Sequence, residues 1–372
     1  MSAAFRHDVV VRRCVAAIGA IVTLHAEPLP AQVSPRLATA EQRAAVDALF
    51  KDYAAAGAPG AAVVVSRGDT IVFARGYGLA DVEGGVPVTP STSFRLASVT
   101  KQFTAAAILT LVDAGTLDLD DTLGELLPNT PSYAQAVTVR QLLAHTSGLP
   151  DYEPILGRDD GPQVKDRDVL MLLHKAKNLY FKPGTSWRYS NSGYALLALV
   201  VERVTGETFA HYLRRRVFAP AGMLTAVAHA DGVDTVSNRA YGHGGHTGAW
   251  RRTDQNSTSA VLGDGGIYAS AEELAHWSDA LGRNVVLSAK TFHEMTTPAT
   301  LPSRQPTNYG FGWFLDTHRG HRRQRHEGDS IGFRTAIQRY PDDHLTVVVL
   351  INRGAAPIDA LSDGVANLFL DR

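Results

Sequence analysis

Three short clusters in this chain carry residue types able to do covalent chemistry. In Ser98-Val99-Thr100-Lys101 a hydroxyl and an amine stand three residues apart. On a helix that spacing places both on one face, where the amine reaches the hydroxyl. Burial behind an apolar helix disfavours an ammonium, which suits the lysine to act as a base near neutral pH. The positive end of the helix favours an oxyanion developing beside the serine. In Tyr189-Ser190-Asn191 the outer two residues point the same way if the segment is extended. A phenol beside an ammonium can relay a proton, and an amide can orient the lysine or a substrate carbonyl. In His326-Glu327-Gly328, strand alternation puts the histidine and the glycine on one face. The glycine lets a ligand approach the backbone, and the histidine can hydrogen-bond a substrate carbonyl or carboxylate. Each cluster alone also has a structural reading. These are a helix N-cap with a solvated lysine, a half-buried tyrosine with Asn191 or Ser192 as an N-cap, and an edge-strand histidine.

Other patterns compete for attention. Gly328-Asp329-Ser330-Ile331-Gly332 spells a Gly-x-Ser-x-Gly nucleophile elbow, but that device needs a helix after its serine, and Phe333 to Tyr340 reads as a strand. His243-x-x-His246 sits in a Gly-rich loop with no carboxylate or cysteine at ligand spacing, so it reads as a polar loop bordering the cleft. Of Trp187, Trp250, Trp277 and Trp313, the last, beside paired glycines, is the candidate to line a site.

The elements that must position these residues follow from periodicity. Ala40 to Ala56 predicts a surface helix, and Ala61 to Ser66 with Thr70 to Gly78 a strand hairpin turning at Arg67-Gly68-Asp69. The C-terminus mirrors this with strands at Ile331 to Tyr340 and Leu345 to Ile351 and an amphipathic helix at Ile358 to Leu370. Between them, helical patterns recur at Val99 to Asp113, Val139 to Ala144, Asp166 to Lys177 and Tyr194 to Val204. The expected class is α+β, an antiparallel sheet built from both chain ends, flanked by helices, with an inserted mainly α-helical domain. Residues 32–95 and 260–372 are assigned to the sheet domain and 96–259 to the helical one, with the chemistry in the cleft between them.

The totals of 372 residues, 45% hydrophobic, 20% charged and net charge −1 describe ordinary globular protein with no field for nucleic acid or an anionic membrane. Arg6, His7, Arg12 and Arg13 precede an uncharged run from Cys14 to Leu24, and Leu29-Pro30-Ala31 ends in small residues. Residues 1–31 therefore read as a signal peptide and the protein as exported, periplasmic or secreted, without stable membrane insertion after processing. The single cysteine, Cys14, lies within that segment, leaving the remainder without thiol chemistry.

Taken together and in this order, Ser98-x-x-Lys101, Tyr189-x-Asn191 and His326-x-Gly328 resemble the three motifs of the serine β-lactamase and penicillin-binding superfamily. Over about residues 40 to 370 the chain is similar to the class C β-lactamase-like branch, which holds D-alanyl-D-alanine carboxypeptidases, D-aminopeptidases and family VIII esterases. Further likeness lies in Phe94-Arg95-Leu96-Ala97, in the stretch from Leu142 through His145 and Gly148 to Pro150, in Gly265-Gly266 and in Tyr309-Gly310-Phe311-Gly312-Trp313. The resemblance implies a β-lactamase/transpeptidase-like fold. It implies that Ser98 attacks an acyl carbon, that Lys101 and Tyr189 share the base and acid roles, and that the amides of Ser98 and Asp329 hold the oxyanion. His326 would join the catalytic set, and Asn191 and Gly328 would face the substrate, an ester, a D-amino-acid peptide or a β-lactam. No metal or organic cofactor is implied. One departure stands out, because β-lactamases of the branch carry lysine where this chain has His326, mostly neutral near pH 7. That favours a peptidase or esterase, with Arg322, Arg323 and Arg325 as nearby candidates for a charge. The alternative is a non-hydrolytic penicillin-binding or peptidoglycan-sensing protein on the same fold. Three chemically intact motifs speak for the enzyme.

Overall fold

Two runs of β-branched residues, Ala61–Arg67 (β1) and Leu345–Ile351 (β6), are apolar at nearly every position, as strands covered on both faces must be. They pair antiparallel in the interior of a six-stranded sheet, with Val64 opposite Val348. Around them lie Thr70–Tyr77 (β2), Phe314–His318 (β3), His321–Ser330 (β4) and Phe333–Tyr340 (β5), in the order β3-β4-β5-β6-β1-β2. The computed structural model describes residues 36–157, 161–229, 235–304 and 306–370; the expected signal segment and Cys14 lie outside them.

Alternation divides the side chains of the central strands between two cores. Val63, Val65, Val347 and Val349 pack with Val46 of helix α1 (Ala40–Leu49) and with Val365 and Phe369 of the C-terminal helix (Ile358–Phe369). Ala62, Val64, Val348 and Leu350 join the larger core with the interior helices. Helix α2 (Lys101–Asp113) is buried from Lys101 through Leu111, so its apolar character runs all round rather than along one stripe. It packs on α3 (Asn191–Thr205), which stops at Gly206 with a left-handed φ of 71°. The architecture is the expected α+β type, an antiparallel sheet from both chain ends with helices on its faces.

Two local differences from the sequence reading bear on the site. The helical run expected from Val99 opens with a 3-10 turn, Ala97–Thr100, and becomes α-helical only at Lys101. Helix α3 begins at Asn191, three residues before Tyr194, so Tyr189 and Asn191 straddle a helix start instead of lying on one extended segment. A small three-stranded sheet, Phe94–Arg95 with Ile267–Ala269 and Val227–Ala228, was not anticipated; it ties the approach to Ser98 to the turn beneath Lys101.

Candidate active site

Ser98 stands in a turn held from three directions. Ala97 has a left-handed φ of 49°, a conformation that costs a non-glycine residue about 1 kcal/mol or more and persists where neighbours impose it. The amide of Leu96 donates to Ile267 O at 2.8 Å, and buried Thr335 of β5 donates its hydroxyl to Leu96 O at 2.7 Å. Gly328 of β4 lies directly over the turn: a Cβ there would be 2.2 Å from Leu96 O and 3.1 Å from Ala97 Cβ. Only glycine permits this approach, and it brings the third motif against the first.

Lys101 is fully buried, and its Nζ has three acceptors: Ser98 Oγ at 3.1 Å, Asn191 Oδ1 at 2.8 Å and the Asp264 carbonyl at 2.9 Å. Of these three oxygens only Ser98 Oγ belongs to a hydroxyl, which can donate as well as accept, so it is the group placed to exchange a proton with Nζ. Asn191 in turn donates Nδ2 to Glu153 Oε1 at 3.1 Å, and its amide donates to Asp151 Oδ2 at 2.9 Å, so the start of α3 is pinned to the start of the short helix Tyr152–Leu156. Behind Lys101, Asp264 is buried and accepts from Tyr152 Oη at 3.0 Å. Burial pushes its carboxyl up to about 8, against the opposing pull of Lys101. Burial likewise pushes Asp166 up to about 7, although it accepts the amides of Leu262 and Gly263 at the same turn.

The Tyr189 ring lies 4.9 Å from Lys101 Nζ, centroid to nitrogen, and 4.3 Å from the ring of His145. His326 is 1% exposed. Its Nδ1 donates to its neighbour's carbonyl, Glu327 O, at 2.7 Å, and its Nε2 accepts from Tyr309 Oη at 3.1 Å. Both ring nitrogens are thus engaged within the protein. Burial first, then the charges of Lys101 and Arg325, lower its pKa to about 3, so the ring is neutral.

The backbone of β4 offers what its histidine does not. Strands β4 and β5 are joined by the two residues Ile331-Gly332, Gly332 having φ 74°, with Ser330 opposite Phe333. A two-residue hairpin closes on a hydrogen-bonded pair, and the alternation of an antiparallel ladder then turns the amide of Asp329 away from β5. Strand β3 covers β4 only as far as Arg325, which leaves that amide on an open edge beside the Ser98 turn. Ser330, the serine of the Gly-x-Ser-x-Gly pattern, closes this hairpin and is followed by a strand rather than a helix.

A cavity of about 640 Å³ opens over these groups, lined by Ser98, Tyr189, His326, Gly328 and Asp329, by Phe314, and by residues 356–360 at the start of the C-terminal helix. A second cavity of about 410 Å³ adjoins it through Asp329 and Arg334 and is walled by Glu153, Leu156 and residues 256–258. Two expectations are corrected here. The arginine lining the first cavity is Arg334, paired with Asp329 at 2.6 Å, whereas Arg322, Arg323 and Arg325 are bound elsewhere, to Asp342, to Asp316 and Asp363, and to Asp316 and Glu327. Arg323 and Arg325 are held by Asp316 of the neighbouring β3, and Arg322 by Asp342 beyond the end of β5, so none of the three lines the cavity. Trp313 is wholly buried and lines neither cavity; Phe314 and Tyr189 supply the aromatic wall.

This geometry can be set beside known proteins. A profile of the β-lactamase family matches residues 46–369. The chain belongs to the β-lactamase family. It is 31% identical over 307 residues to penicillin-binding protein 4* of Bacillus subtilis, covering 78% of this chain and 67% of that one. It is 30% identical over 305 residues to a D-aminopeptidase of Gluconobacter oxydans, covering 80% of this chain but only 56% of that longer protein. The crystal structure of a penicillin-binding protein from Bacillus halodurans superposes with a TM-score of 0.73 at 28% identity, covering 87% of this chain and 98% of the other. As a member of the β-lactamase family, the chain sits among serine hydrolases and their penicillin-binding relatives, on the β-lactamase/transpeptidase-like fold.

Within this family member the three sequence clusters do converge, around Lys101, the Ser98 turn and the β4 edge. Sequence reasoning missed Asp264, Tyr152, Glu153, Arg334, Tyr309 and His145 as parts of the site. His145, Tyr309 and Gly265 were visible only as members of family-like stretches, because nothing local in a buried histidine or tyrosine states what it touches. His243 is buried and His246 exposed, and among the described residues no group of three or more His, Cys, Asp or Glu side chains is arranged to hold a metal.

Proposed function

We propose that this β-lactamase-family protein is a serine hydrolase working through an acyl-enzyme on Ser98, and that it acts on esters or D-amino-acid amides and peptides. The observation that carries the reading is the set of bonds at Lys101 Nζ, which joins Ser98 Oγ to Asn191 in a buried, fully paired site. In the reaction Ser98 Oγ bonds to the acyl carbon, and Lys101 and Tyr189 take its proton and return it to the leaving oxygen or nitrogen. The amides of Ser98 and Asp329 receive the carbonyl oxygen as it becomes anionic. Water then attacks the ester, and the same groups return a proton to Ser98. His326, neutral and internally bonded, supports the strand edge and leaves the cavity without a fixed cation at the third motif.

Charge around the cavity supports the preference among substrates. Of the acids that line it, Glu327 is paired with Arg325 and Asp329 with Arg334, so with His326 neutral neither arginine is left over to meet an anion, and Asp359 adds a negative charge. A substrate bearing a free carboxylate next to the scissile bond meets repulsion, and a neutral ester or an ammonium-bearing amide does not. Likeness to a D-aminopeptidase agrees with this. The protein is further proposed to be exported after removal of residues 1–31, which N-terminal sequencing of the secreted product would check.

The test has two stages. A fluorophosphonate or a labelled penicillin should form an adduct that peptide mapping places on Ser98 and that Ser98→Ala abolishes; absence of any adduct sinks the reading. A short-chain p-nitrophenyl ester, a D-amino-acid amide, a D-alanyl-D-alanine peptide and a chromogenic cephalosporin then rank the substrates. The first two are expected to be turned over at least about tenfold faster, by kcat/KM, than the carboxylate-bearing pair.

A further inference from the structure

One buried residue with unusual backbone geometry has no part in the chemistry above. His145 follows a short helix, Val139–Leu143, and has a left-handed φ of 58° while being 1% exposed. Left-handed backbone in a residue with a large side chain costs free energy and persists where surroundings enforce it. The bonds His145 makes explain what is gained. Its carbonyl accepts the amide of Arg188 at 3.0 Å, and its Nδ1 accepts the amide of Ser190 at 3.2 Å. Those two amides flank Tyr189. A regular conformation at position 145 would turn one of these acceptors away, so the left-handed twist is what lets a single residue grip the tyrosine's backbone on both sides.

The ring of the same residue fixes the phenol. It lies 4.3 Å from the Tyr189 ring at 37°, and it meets Tyr309 at 4.6 Å and Tyr194 at 5.1 Å. Tyr309 donates to His326 Nε2, so His145 stands between the second motif and the third. Because Nδ1 accepts a backbone amide, the proton of the neutral ring is on Nε2. Burial, reinforced by Lys101 and then His326, holds the ring well below the ordinary histidine range and so keeps it in this accepting tautomer.

We infer that His145 is the positioning residue for Tyr189, holding the phenol over Lys101 through the Nδ1 acceptor and the left-handed turn beneath it. The inference rests on the proposed role of Tyr189 in proton transfer to and from Ser98. It assigns His145 no contact with substrate. Its effect belongs in the rate of bond making at Ser98, not in binding.

The test compares four variants by the saturating rate and the half-saturating concentration for Ser98 modification by a fluorophosphonate, a readout independent of the natural substrate. His145→Ala removes acceptor and ring and is expected to lower the saturating rate about 10- to 100-fold with the half-saturating concentration unchanged within about threefold. His145→Asn tolerates left-handed φ and places an amide oxygen where Nδ1 stood, so it is expected to recover most of that loss. Tyr189→Phe is expected to be slow, and His145→Ala added to Tyr189→Phe is expected to slow it no further, because the two act as a unit. A merely structural role for His145 would give additive losses in the double variant and equal losses in Ala and Asn; either result overturns the inference. Should His145→Ala fold poorly, by loss of a cooperative melt, the Asn variant and its combination with Tyr189→Phe carry the same test. If Tyr189→Phe reacts like the parent protein, the proton-transfer reading of Tyr189 fails; if Tyr189→Phe is slow while the losses add, the His145 assignment alone fails.

Discussion

Asn191 bonds Lys101 with one end of its amide and Glu153 with the other, Oδ1 to Nζ at 2.8 Å and Nδ2 to Oε1 at 3.1 Å. One side chain therefore ties the buried Lys101 nitrogen to an acid at the wall of the second cavity. Replacing it by leucine leaves a buried N–H of Lys101 without its partner. Asn191→Leu is expected to cost about 1–3 kcal/mol of stability and to lower kcat for an ester substrate about tenfold or more. Urea unfolding and steady-state kinetics would check both, and a kcat within twofold of the parent would show that this bond does not orient Lys101.

Gly328 has no room for a side chain. A methyl group there would lie 2.2 Å from both Leu96 O and Thr335 Oγ1, so Gly328→Ala must push β4 away from the Ser98 turn. The open amide of Asp329 moves with it. The expected outcome is a fall of about 10²-fold in kcat, the scale seen when an oxyanion donor is lost, with a smaller loss of stability. Gly161→Ala, where no heavy atom lies within 4 Å of a built Cβ, is the matched control and should change neither.

Acid should unfold the protein by way of its buried histidines. The folded-state pKa of His326 is lowered to about 3, against about 6.5 in an unfolded chain. A depressed histidine pKa means that the unfolded state binds the proton first. The stability contributed by the neutral ring is therefore complete above about pH 6.5 and is lost as pH falls towards 3. Unfolding free energy measured from pH 7 to pH 4 should decline, and His326→Asn should reduce the slope by up to about 1.4 kcal/mol per pH unit. Parallel curves for the two proteins would contradict the burial of a neutral His326.

Asp264 should act at the other end of the scale. Its folded pKa is raised to about 8, so between about pH 4 and pH 8 the unfolded state has lost a proton that the folded state keeps. Stability from this group is present below the unfolded pKa and lost as pH rises through the folded one. Asp264→Asn retains an acceptor for Tyr152 Oη and cannot ionise. Relative to the parent, this variant should gain about 1–3 kcal/mol between pH 5 and pH 9 in chemical denaturation, a deliberately low figure for a buried group beside Lys101. The same stability difference at both pH values would argue that Asp264 is already ionised in the folded protein at pH 5.

The sequence by itself determined what depends on near neighbours. Strand-like apolar runs gave β1, β2, β5 and β6 within a residue or two, and Gly68 marked the first hairpin, because pleat and turn are decided over a few residues; Ile331 and Gly332, read as strand, form the turn of the second. The order of serine, tyrosine and histidine clusters was equally plain, and with it the family. Tertiary structure alone decided which long-range surfaces meet. Gly328 touching Leu96 O, across 232 positions of chain, could not be read from either segment. Nor could the state of His326, since an imidazole's charge is fixed by how completely water is excluded and by which amines stand nearby. The same holds for the arginines. Arg325 and Arg334 look alike in sequence and share one face of the sheet, yet one meets Asp316 of the neighbouring strand and Glu327 while the other stands near the hairpin and lines the cavity, because only the assembled sheet decides which carboxylates stand beside each.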